Sequence, residues 1–263
     1  MTDAKSWPFE QARSLFKKVG PKNLVTFQTG YGPSGHPHLG TFGEVVRTQM
    51  VRNAFHKLTG SDIATRTLVF SDDYDGFRRV PDGLPESMLD DIGKPLTSVR
   101  DPYGEYPSFA HRNNAALANF IERMDFDVTF VSATDCYKSG IFNPTLLRVL
   151  ENYEAIRNLM LSTLGEVRRE TYSPFMPISP VTGNVLAEGV LEVDKVSGEI
   201  LFVAEDGKEY SVPVIDGNAK LQWKVDWAMR WSAFDVDYEM HGKDLLDSAS
   251  LSSKISKIIS NTI

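Results

Sequence analysis

The chain has 263 residues, of which 41% are hydrophobic and 24% charged, a balance typical of globular proteins that argues against a wholly disordered or coiled-coil chain. Its single cysteine excludes an internal disulfide and a multi-cysteine zinc site. No apolar run approaches the roughly 20 residues that a membrane helix needs. The net charge of -7 does not indicate a nucleic-acid binder, although a local basic face can still contact phosphates. We expect a cytoplasmic protein with no structural metal and no membrane segment.

The first predicted elements are a helix, a strand, a glycine-rich loop, a second helix and a second strand. Apolar residues recur at helical spacing over 6–20 and again over 41–58. Short apolar runs at 24–27 and 67–70 predict buried strands, and a loop rich in Gly and Pro covers 30–37. Strand, loop, helix and strand in this order are typical of a parallel α/β sheet.

A long polar stretch over 72–107 follows, rich in Pro and Gly, and is predicted to be irregular. A loop of this length inside a compact domain is usually functional. Helical patterns return over 108–124 and 143–164, with a short strand at 127–131 between them.

The pattern then changes to short extended runs separated by turn signals over 171–214. Such runs predict a small antiparallel insertion in the α/β domain. Beyond it we predict a strand at 236–240 and a helix that begins near residue 251 and continues to the end of the sequence.

The loop after the first strand carries the most informative pattern, TGYGPSGHPHLGT over 29–41. Glycines let a backbone approach a ligand closely, and the helix N-terminus beyond offers free N–H groups to a phosphate. His38 stands at that N-terminus and Gly40 leaves room for a flat base. A tight connection with a capping histidine explains the same residues, so both interpretations remain open. The P-loop pattern is absent.

The pattern PSGHPHLGT resembles the HIGH signature of class I aminoacyl-tRNA synthetases. Further stretches resemble class I lysyl-tRNA synthetases, the archaeal and alphaproteobacterial type, and the resemblance covers nearly the whole chain. These stretches are GYGPSGHPHLGTFGE (30–44), FSDDYDGFRRVP (70–81), CYKSG (136–140), TYSPFMPI (171–178), KLQWKVDW (220–227) and HGKD (241–244).

The resemblance implies that lysine and Mg-ATP give lysyl-adenylate, from which the lysyl group passes to tRNA(Lys). His38 and Thr41 are the implied catalytic residues and face the ATP phosphates, with Gly40 under the adenine. Asp244 is expected to accept hydrogen bonds from the ribose, and Lys243 is a weaker candidate for a phosphate contact. The full implied ATP site is Pro33, Ser34, Gly35, His38, Gly40, Thr41, Gly242, Lys243 and Asp244.

A lysine pocket needs an anion for the ε-ammonium and apolar walls for its stem. Glu44 lies six residues after His38 on the same predicted helix and is our first choice for the ammonium partner. Trp223, Asp226 and Trp227 form an aromatic and acidic cluster that can supply the rest, because aromatic faces attract ammonium groups. A solvated helix glutamate and an aromatic core patch are the alternative interpretations.

The family implies a Rossmann-like parallel sheet with a HIGH-type nucleotide site and a small β-rich insertion. We expect the first half of the catalytic domain at 1–132, the connective insertion at 133–216 and the start of the second half at 217–263. Family members are much longer, so the fold is expected to be C-terminally incomplete. The KMSKS loop and the anticodon-binding region are expected to lie outside this sequence.

The segment 254–258, KISKI, is close to the KMSKS signature, but we reject the match. Leu251, Ile255, Ile258 and Ile259 recur at helical spacing, which puts these lysines on a helix rather than a mobile loop. The segment also follows the HGKD pattern too closely.

Two other functions remain possible at this level. One is a non-catalytic truncated paralogue that binds lysine, adenylate or a partner without turnover. The other is a small-molecule adenylyltransferase of the same superfamily, which the β-rich insertion and the Asp-rich loop disfavour. The sequence does not indicate an oligomeric state.

Overall fold

The computed structural model describes residues 3–187 and 189–260. Its central sheet has four strands in the order β3-β2-β1-β9, and each neighbouring pair is parallel. The strands are β1 (Leu24–Tyr31), β2 (Ala64–Ser71), β3 (Thr129–Ser132) and β9 (Tyr238–Glu239). The chain therefore moves from β1 in one direction through β2 to β3, and β9 joins the opposite edge of β1.

Helices cover both faces of this sheet. They are α1 (Trp7–Val19), α2 (Leu39–Thr59), α3 (Phe109–Arg123), α4 (Ala133–Lys138), α5 (Asn143–Glu151), α6 (Tyr153–Leu161), α7 (Glu166–Thr171), α8 (Trp223–Phe234) and α9 (Leu246–Ser260). None of the helices in the described part of the chain is both long and apolar enough to cross a bilayer.

Alternating residues of the strands face two separate cores. Phe27 of β1 packs with Phe55 and residues of α1 and α2 on one face. Phe70 of β2 packs with α4, α5, α8 and α9 on the other face. This is the doubly wound arrangement of the predicted Rossmann-like class, in which the strand order reverses beside β1.

Two small antiparallel sheets extend from the α/β layers, as the turn signals predict. One pairs β4 (Phe175–Pro177) with β8 (Ala219–Leu221). The other is the meander β5 (Val190–Asp194), β6 (Glu199–Val203) and β7 (Glu209–Pro213). The predicted fold class is confirmed, while the domain boundaries stay a prediction.

The helices differ from the prediction in three ways. The helix predicted over 143–164 is two helices, because the backbone leaves helical geometry at Asn152 between α5 and α6. Helices α4, α7 and α8 were not predicted. The last helix begins at Leu246, five residues before the predicted start, and residues 261–263 lie outside the described part. The lysines of segment 254–258 do lie on this helix, so the rejection of a mobile signature loop is confirmed.

The long stretch 72–107 is irregular, as predicted, apart from two short 3-10 helices, Glu86–Asp91 and Leu96–Ser98. It has a small core of its own, in which Phe77, Met88 and Val99 pack under the start of α3. The buried carboxylate of Asp91 accepts from Lys94 at 2.7 Å. The stretch is therefore held in place by packing and ion pairing despite its lack of regular structure.

Phe142 joins the sheet to the helices of the larger core, and its replacement tests that packing. The ring is fully buried, with ring centroids of Tyr137 and Phe234 at 5.1 and 5.5 Å. We expect Phe142→Ala to lower the free energy of unfolding by about 3–5 kcal/mol, measured by urea denaturation. Val167→Ala, at an 85% exposed residue, is the control and should change it by less than about 0.5 kcal/mol. A loss below about 1 kcal/mol for Phe142→Ala would contradict this packing.

Candidate functional site

The sheet brings two separate segments together where its strand order reverses. In parallel sheets, ligands bind beyond the carboxyl ends of the strands at such a switch point. Here the glycine-rich loop leaves β1 and the segment 241–245 leaves β9. Two cavities lie at this edge, a larger one of about 700 Å³ and a smaller one of about 290 Å³. Asp72 and Trp223 line both, so the cavities adjoin.

His38 is the N-cap of α2 and lines the larger cavity with Ser34, Gly35 and Thr41. Its Nδ1 accepts the backbone N–H of Gly40 at 3.0 Å. In the neutral imidazole the proton must therefore sit on Nε2, which leaves that atom as a donor. The free N–H groups of the helix lie beside it and favour a negatively charged ligand.

Gly40 makes the histidine position possible. A methyl group at residue 40 would lie 2.7 Å from Cε1 of His38 and 2.9 Å from its Nδ1. Any larger residue would therefore push the imidazole out of the capping position.

Two neighbouring asparagines of α3 bind the chain beyond the ends of β1 and β2. Asn113 donates to the carbonyl of the buried Pro33, in the loop after β1, at 2.8 Å. Asn114 accepts from Ser71 at the end of β2 at 2.8 Å and donates to Asp73 at 3.1 Å. Helix α3 is thus hydrogen-bonded to both segments.

The second predicted nucleotide segment follows β9 directly. Gly242 and Asp244 line the smaller cavity, beside Glu44. A β-carbon at residue 242 would clash with the carboxylate of Asp244. Lys243 is exposed and lines neither cavity, and the same two cavities also leave out Pro33 and Gly40 of the predicted ATP site.

Three of the four predicted lysine-pocket residues meet in the smaller cavity. Trp223 and Trp227, at the start of α8, stack with their ring centroids 6.0 Å apart. Glu44 lines the same cavity, and its carboxylate accepts from Arg47 at 3.2 Å. Asp226 does not line it, since the side chain is buried behind the cavity wall and accepts from Tyr137 at 2.5 Å.

Arg230 was missed by the sequence analysis and lies between two carboxylates. Its Nη1 donates to Asp72 at 2.8 Å, and its Nε lies 3.3 Å from Asp226. The spacing of Asp226 and Arg230, four residues apart, was the one signal that could have indicated this pair. Lys220 pairs in the same way with Asp75.

In residues 3–187 and 189–260, no three His, Cys, Asp or Glu side chains are grouped to hold a metal.

Glu239 was also missed, and it connects both strands at the switch point with α8. One carboxylate oxygen, Oε2, accepts from Trp227 at 2.9 Å, from Trp231 at 2.5 Å and from Gln28 at 2.8 Å. The Gln28 and Glu239 backbones pair directly across β1 and β9. No sequence signal joins these residues, which are 211 positions apart.

A parallel sheet that reverses beside a helix N-terminus defines a Rossmann-like nucleotide-binding domain. The family model described as tRNA synthetases class I (K) matches residues 5–263, and the chain belongs to that family. It is 49% identical over 260 residues to lysine–tRNA ligase of Rickettsia felis, covering 97% of this chain and 49% of that protein. For the lysine–tRNA ligase of Roseobacter denitrificans the identity is 46% over 262 residues, with the same coverage of 97% and 49%. The chain spans about half the length of the curated relatives it matches.

Asp72 gives the site a testable pH dependence. Burial raises the pKa of Asp72 to about 7, and the carboxylates of Asp75 and Asp226 add to the rise against the opposing effect of Arg230. The unfolded value is near 3.9, so between about pH 4 and pH 7 the folded state binds more protons and loses stability as the pH rises.

Asp72→Asn removes this titration. We expect the stability of the variant relative to the parent chain to increase between about pH 5 and pH 8, measured by urea denaturation at several pH values. Exposed Asp90 paired with Arg100 supplies the comparison, since Asp90→Asn should show no such trend. A constant difference between Asp72→Asn and the parent chain across this range would contradict the raised pKa.

Proposed function

We propose that this chain carries the lysine-activating site of a lysine–tRNA ligase. The proposal depends on one observation. A helix N-terminus suited to binding phosphate adjoins a cavity that has aromatic walls and is lined by four carboxylates, those of Glu44, Asp72, Glu239 and Asp244. That combination suits one ligand with phosphates and a second with an ammonium group. The relatives named lysine–tRNA ligase, 46–49% identical over nearly all of this chain, support the same substrates.

In this proposal the ATP phosphates lie in the larger cavity and the ribose lies where the smaller cavity adjoins it, at Gly242 and Asp244, with Mg²⁺ arriving as part of the substrate. His38 donates from Nε2 to a phosphate oxygen, and Thr41 adds a hydroxyl one turn into α2. Gly40 lies beneath the adenine, and Asp244 accepts from the ribose hydroxyls. Pro33, Ser34, Gly35 and Gly242 form the surrounding backbone, and Lys243 is a peripheral phosphate contact.

The reaction needs the two substrates aligned rather than a protein nucleophile. The lysine carboxylate attacks the α-phosphorus of ATP, a P–O bond forms, and pyrophosphate leaves. A hydroxyl of the tRNA(Lys) 3′ end then attacks the lysyl carbonyl carbon, and AMP leaves. Positioning and stabilisation of phosphate charge supply most of the rate in such a step. His38 and the N-terminus of α2 are the residues offered for that charge.

Lysine occupies the smaller cavity in this proposal. The stem of the side chain packs against Trp223 and Trp227, and Glu44 contributes negative charge at the same cavity. Asp226 acts from behind the wall by holding Arg230. We place the activity in the cytoplasm, where tRNA is charged.

The first experiment is a thermal-shift titration of the 263-residue chain with non-hydrolysable aminoacyl-adenylate analogues. Ligand at 100 times its dissociation constant adds roughly 2.7 kcal/mol of stability, enough for a clear shift. We expect the lysyl analogue to raise the melting temperature, and the arginyl, glutamyl and methionyl analogues to leave it unchanged. A cooperative melt with no shift for the lysyl analogue would sink the proposal.

Gly40→Ala tests the histidine position without altering charge. Because the added methyl would displace the His38 ring, we expect the affinity for ATP to fall by about tenfold, the loss of roughly one charge-assisted hydrogen bond. Gly43→Ala, one turn further along α2, is the matched control. Its methyl would meet only Arg47, at 3.4 Å or more, and ATP binding by calorimetry should not change. Equal affinities for both variants would show that His38 does not contact the nucleotide.

A further inference from the structure

Two arginines, Arg78 and Arg79, line the larger cavity together with His38 and Thr41. The volume of about 700 Å³ falls within the range of small-molecule sites. Among the described residues, the two arginines are the only lysine or arginine side chains that line it. The inference drawn from them rests on the proposed function, because that function places the ATP phosphates in the same cavity.

Neither guanidinium has a partner in the described part of the chain. No carboxylate oxygen of the described residues lies within 4.0 Å of a side-chain nitrogen of Arg78 or Arg79, and neither side chain donates a hydrogen bond there. Arg100 of the same irregular stretch, in contrast, pairs with Asp91 at 2.8 Å. Arg78 and Arg79 therefore keep their full positive charge and all their N–H donors for a ligand.

Two carboxylates also line the larger cavity, but other cations hold them. Asp72 accepts from Arg230 at 2.8 Å, and Asp75 pairs with the buried Lys220. Each carboxylate still repels an anionic ligand at this distance from water. A polyanion that enters the cavity therefore needs positive charge from its walls, and the two arginines are the side chains that supply it.

The backbone that carries the two arginines is held in place although it has no regular structure. Phe77, directly before them, is buried in the small core of the stretch 72–107, with the ring centroid of Phe109 at 5.9 Å. Its N–H donates to the carbonyl of Lys94 and its own carbonyl accepts from Gly93, both at 2.8 Å. A fixed backbone reduces the entropy that is lost when side chains order around a ligand. The stretch thus places two exposed guanidinium groups at a defined position.

Guanidinium groups at this position suit the terminal phosphates of a nucleotide. Arginine binds phosphate through two parallel, charge-assisted N–H···O bonds. His38 and the N-terminus of α2, at the same cavity, offer a neutral donor and partial charges. In the lysine-activating step the bond from the α-phosphorus to the bridging oxygen breaks, and its electron pair stays on the departing pyrophosphate. A full positive charge beside that group stabilises the transition state more than the bound substrate.

We propose that Arg78 and Arg79 bind the β- and γ-phosphates of ATP and stabilise the pyrophosphate that leaves. The proposal assigns them no contact with adenosine or lysine, so a ligand without β- and γ-phosphates does not depend on them. The phosphates of a nucleic-acid duplex are the competing partner. They are disfavoured because a cavity of about 700 Å³ accommodates a nucleotide and not a duplex.

The test compares two ligands that share adenosine and differ in the β- and γ-phosphates. Dissociation constants of Mg-ATP and of the non-hydrolysable lysyl-adenylate analogue are measured for the 263-residue chain by calorimetry. For the double variant Arg78→Gln/Arg79→Gln we expect the affinity for ATP to fall by about 20-fold or more, and the affinity for the analogue to stay within about twofold. Each single variant should lose about threefold or more for ATP.

Two further variants control for the loss of an arginine and for the fold. Arg123→Gln removes an exposed arginine at the C-terminal end of α3 that lines neither of the two cavities, and it should bind ATP as the parent chain does. Arg78→Lys/Arg79→Lys keeps both charges without the paired donors, so its ATP affinity should lie between those of the parent chain and the glutamine double variant. Since these side chains are exposed, each melting temperature should stay within about 2 °C of the parent value.

The outcomes separate the inference from the function on which it rests. If the parent chain binds neither ligand, the proposed function and the inference both fail. If it binds ATP but not the analogue, the function fails, and AMP replaces the analogue in the test of the arginines. Binding of the analogue without ATP would leave the function standing and contradict the inference.

Three results for the glutamine double variant would overturn the inference while the function stands. One is an ATP affinity within about threefold of the parent value. The second is an equal loss for ATP and the analogue, because the arginines would then act on the part that both ligands share. The third is a reduced affinity for tRNA with an unchanged affinity for ATP, which would assign the arginines to tRNA.

Discussion

The buried guanidinium of Arg230 is the interaction on which the site depends. It joins Asp72, just beyond the end of β2, to Asp226 on its own helix, and Asp226 in turn accepts from Tyr137 of α4. Arg230 and the buried Lys220 face three carboxylates, those of Asp72, Asp75 and Asp226, so negative charge is in excess at a place where water is scarce. Buried ion pairs contribute little net stability. Their value here is to fix α8 against the sheet and to give the cavity a field that favours a cation.

The topology of the sheet explains why the charged cluster around Arg230 can form beside the N-terminus of α2, which is suited to binding phosphate. Parallel strands all end at one edge, and the reversal between β1 and β9 opens a gap there that no crossover covers. The glycine-rich loop occupies one side of the gap and α8 the other. The ordered stretch 72–107, with its own core, closes the larger cavity at Asp75 and Arg78. The strand ends, the glycine-rich loop and the charged cluster therefore lie together at this edge of the sheet.

The sequence predicted the parts of the fold whose periodicity is simple. Strands β1 and β2 followed from short continuous apolar runs, which are typical of strands buried on both faces, and helices α2 and α3 followed from apolar residues at helical spacing. Helix α8 did not, since it faces the core through Val225 and Met229 and the cavity through Trp227, and so lacks a polar face. The break between α5 and α6 at Asn152 was also not predicted from the sequence. At the site, His38, Thr41 and the tryptophans were read from a local pattern. Glu239 and Gln28 could not be identified from the sequence, because their contact forms only when two strands that are distant in sequence pair.

The sharing of Asp72 by both cavities has a consequence for the proposed binding of two substrates. In the proposed function, an ammonium group in the smaller cavity brings positive charge to a cluster in which Asp72, Asp75, Asp226 and Glu239 face two cations, Arg230 and Lys220. The same charge lowers the repulsion that Asp72 exerts on phosphates in the larger cavity. In the proposed function, binding of either ligand would then favour the other by the same factor, because coupling free energies are reciprocal. In the proposed function, an excess of buried negative charge, unfavourable in the empty protein, would be the physical link between recognition of a cationic amino acid and retention of a polyanionic nucleotide.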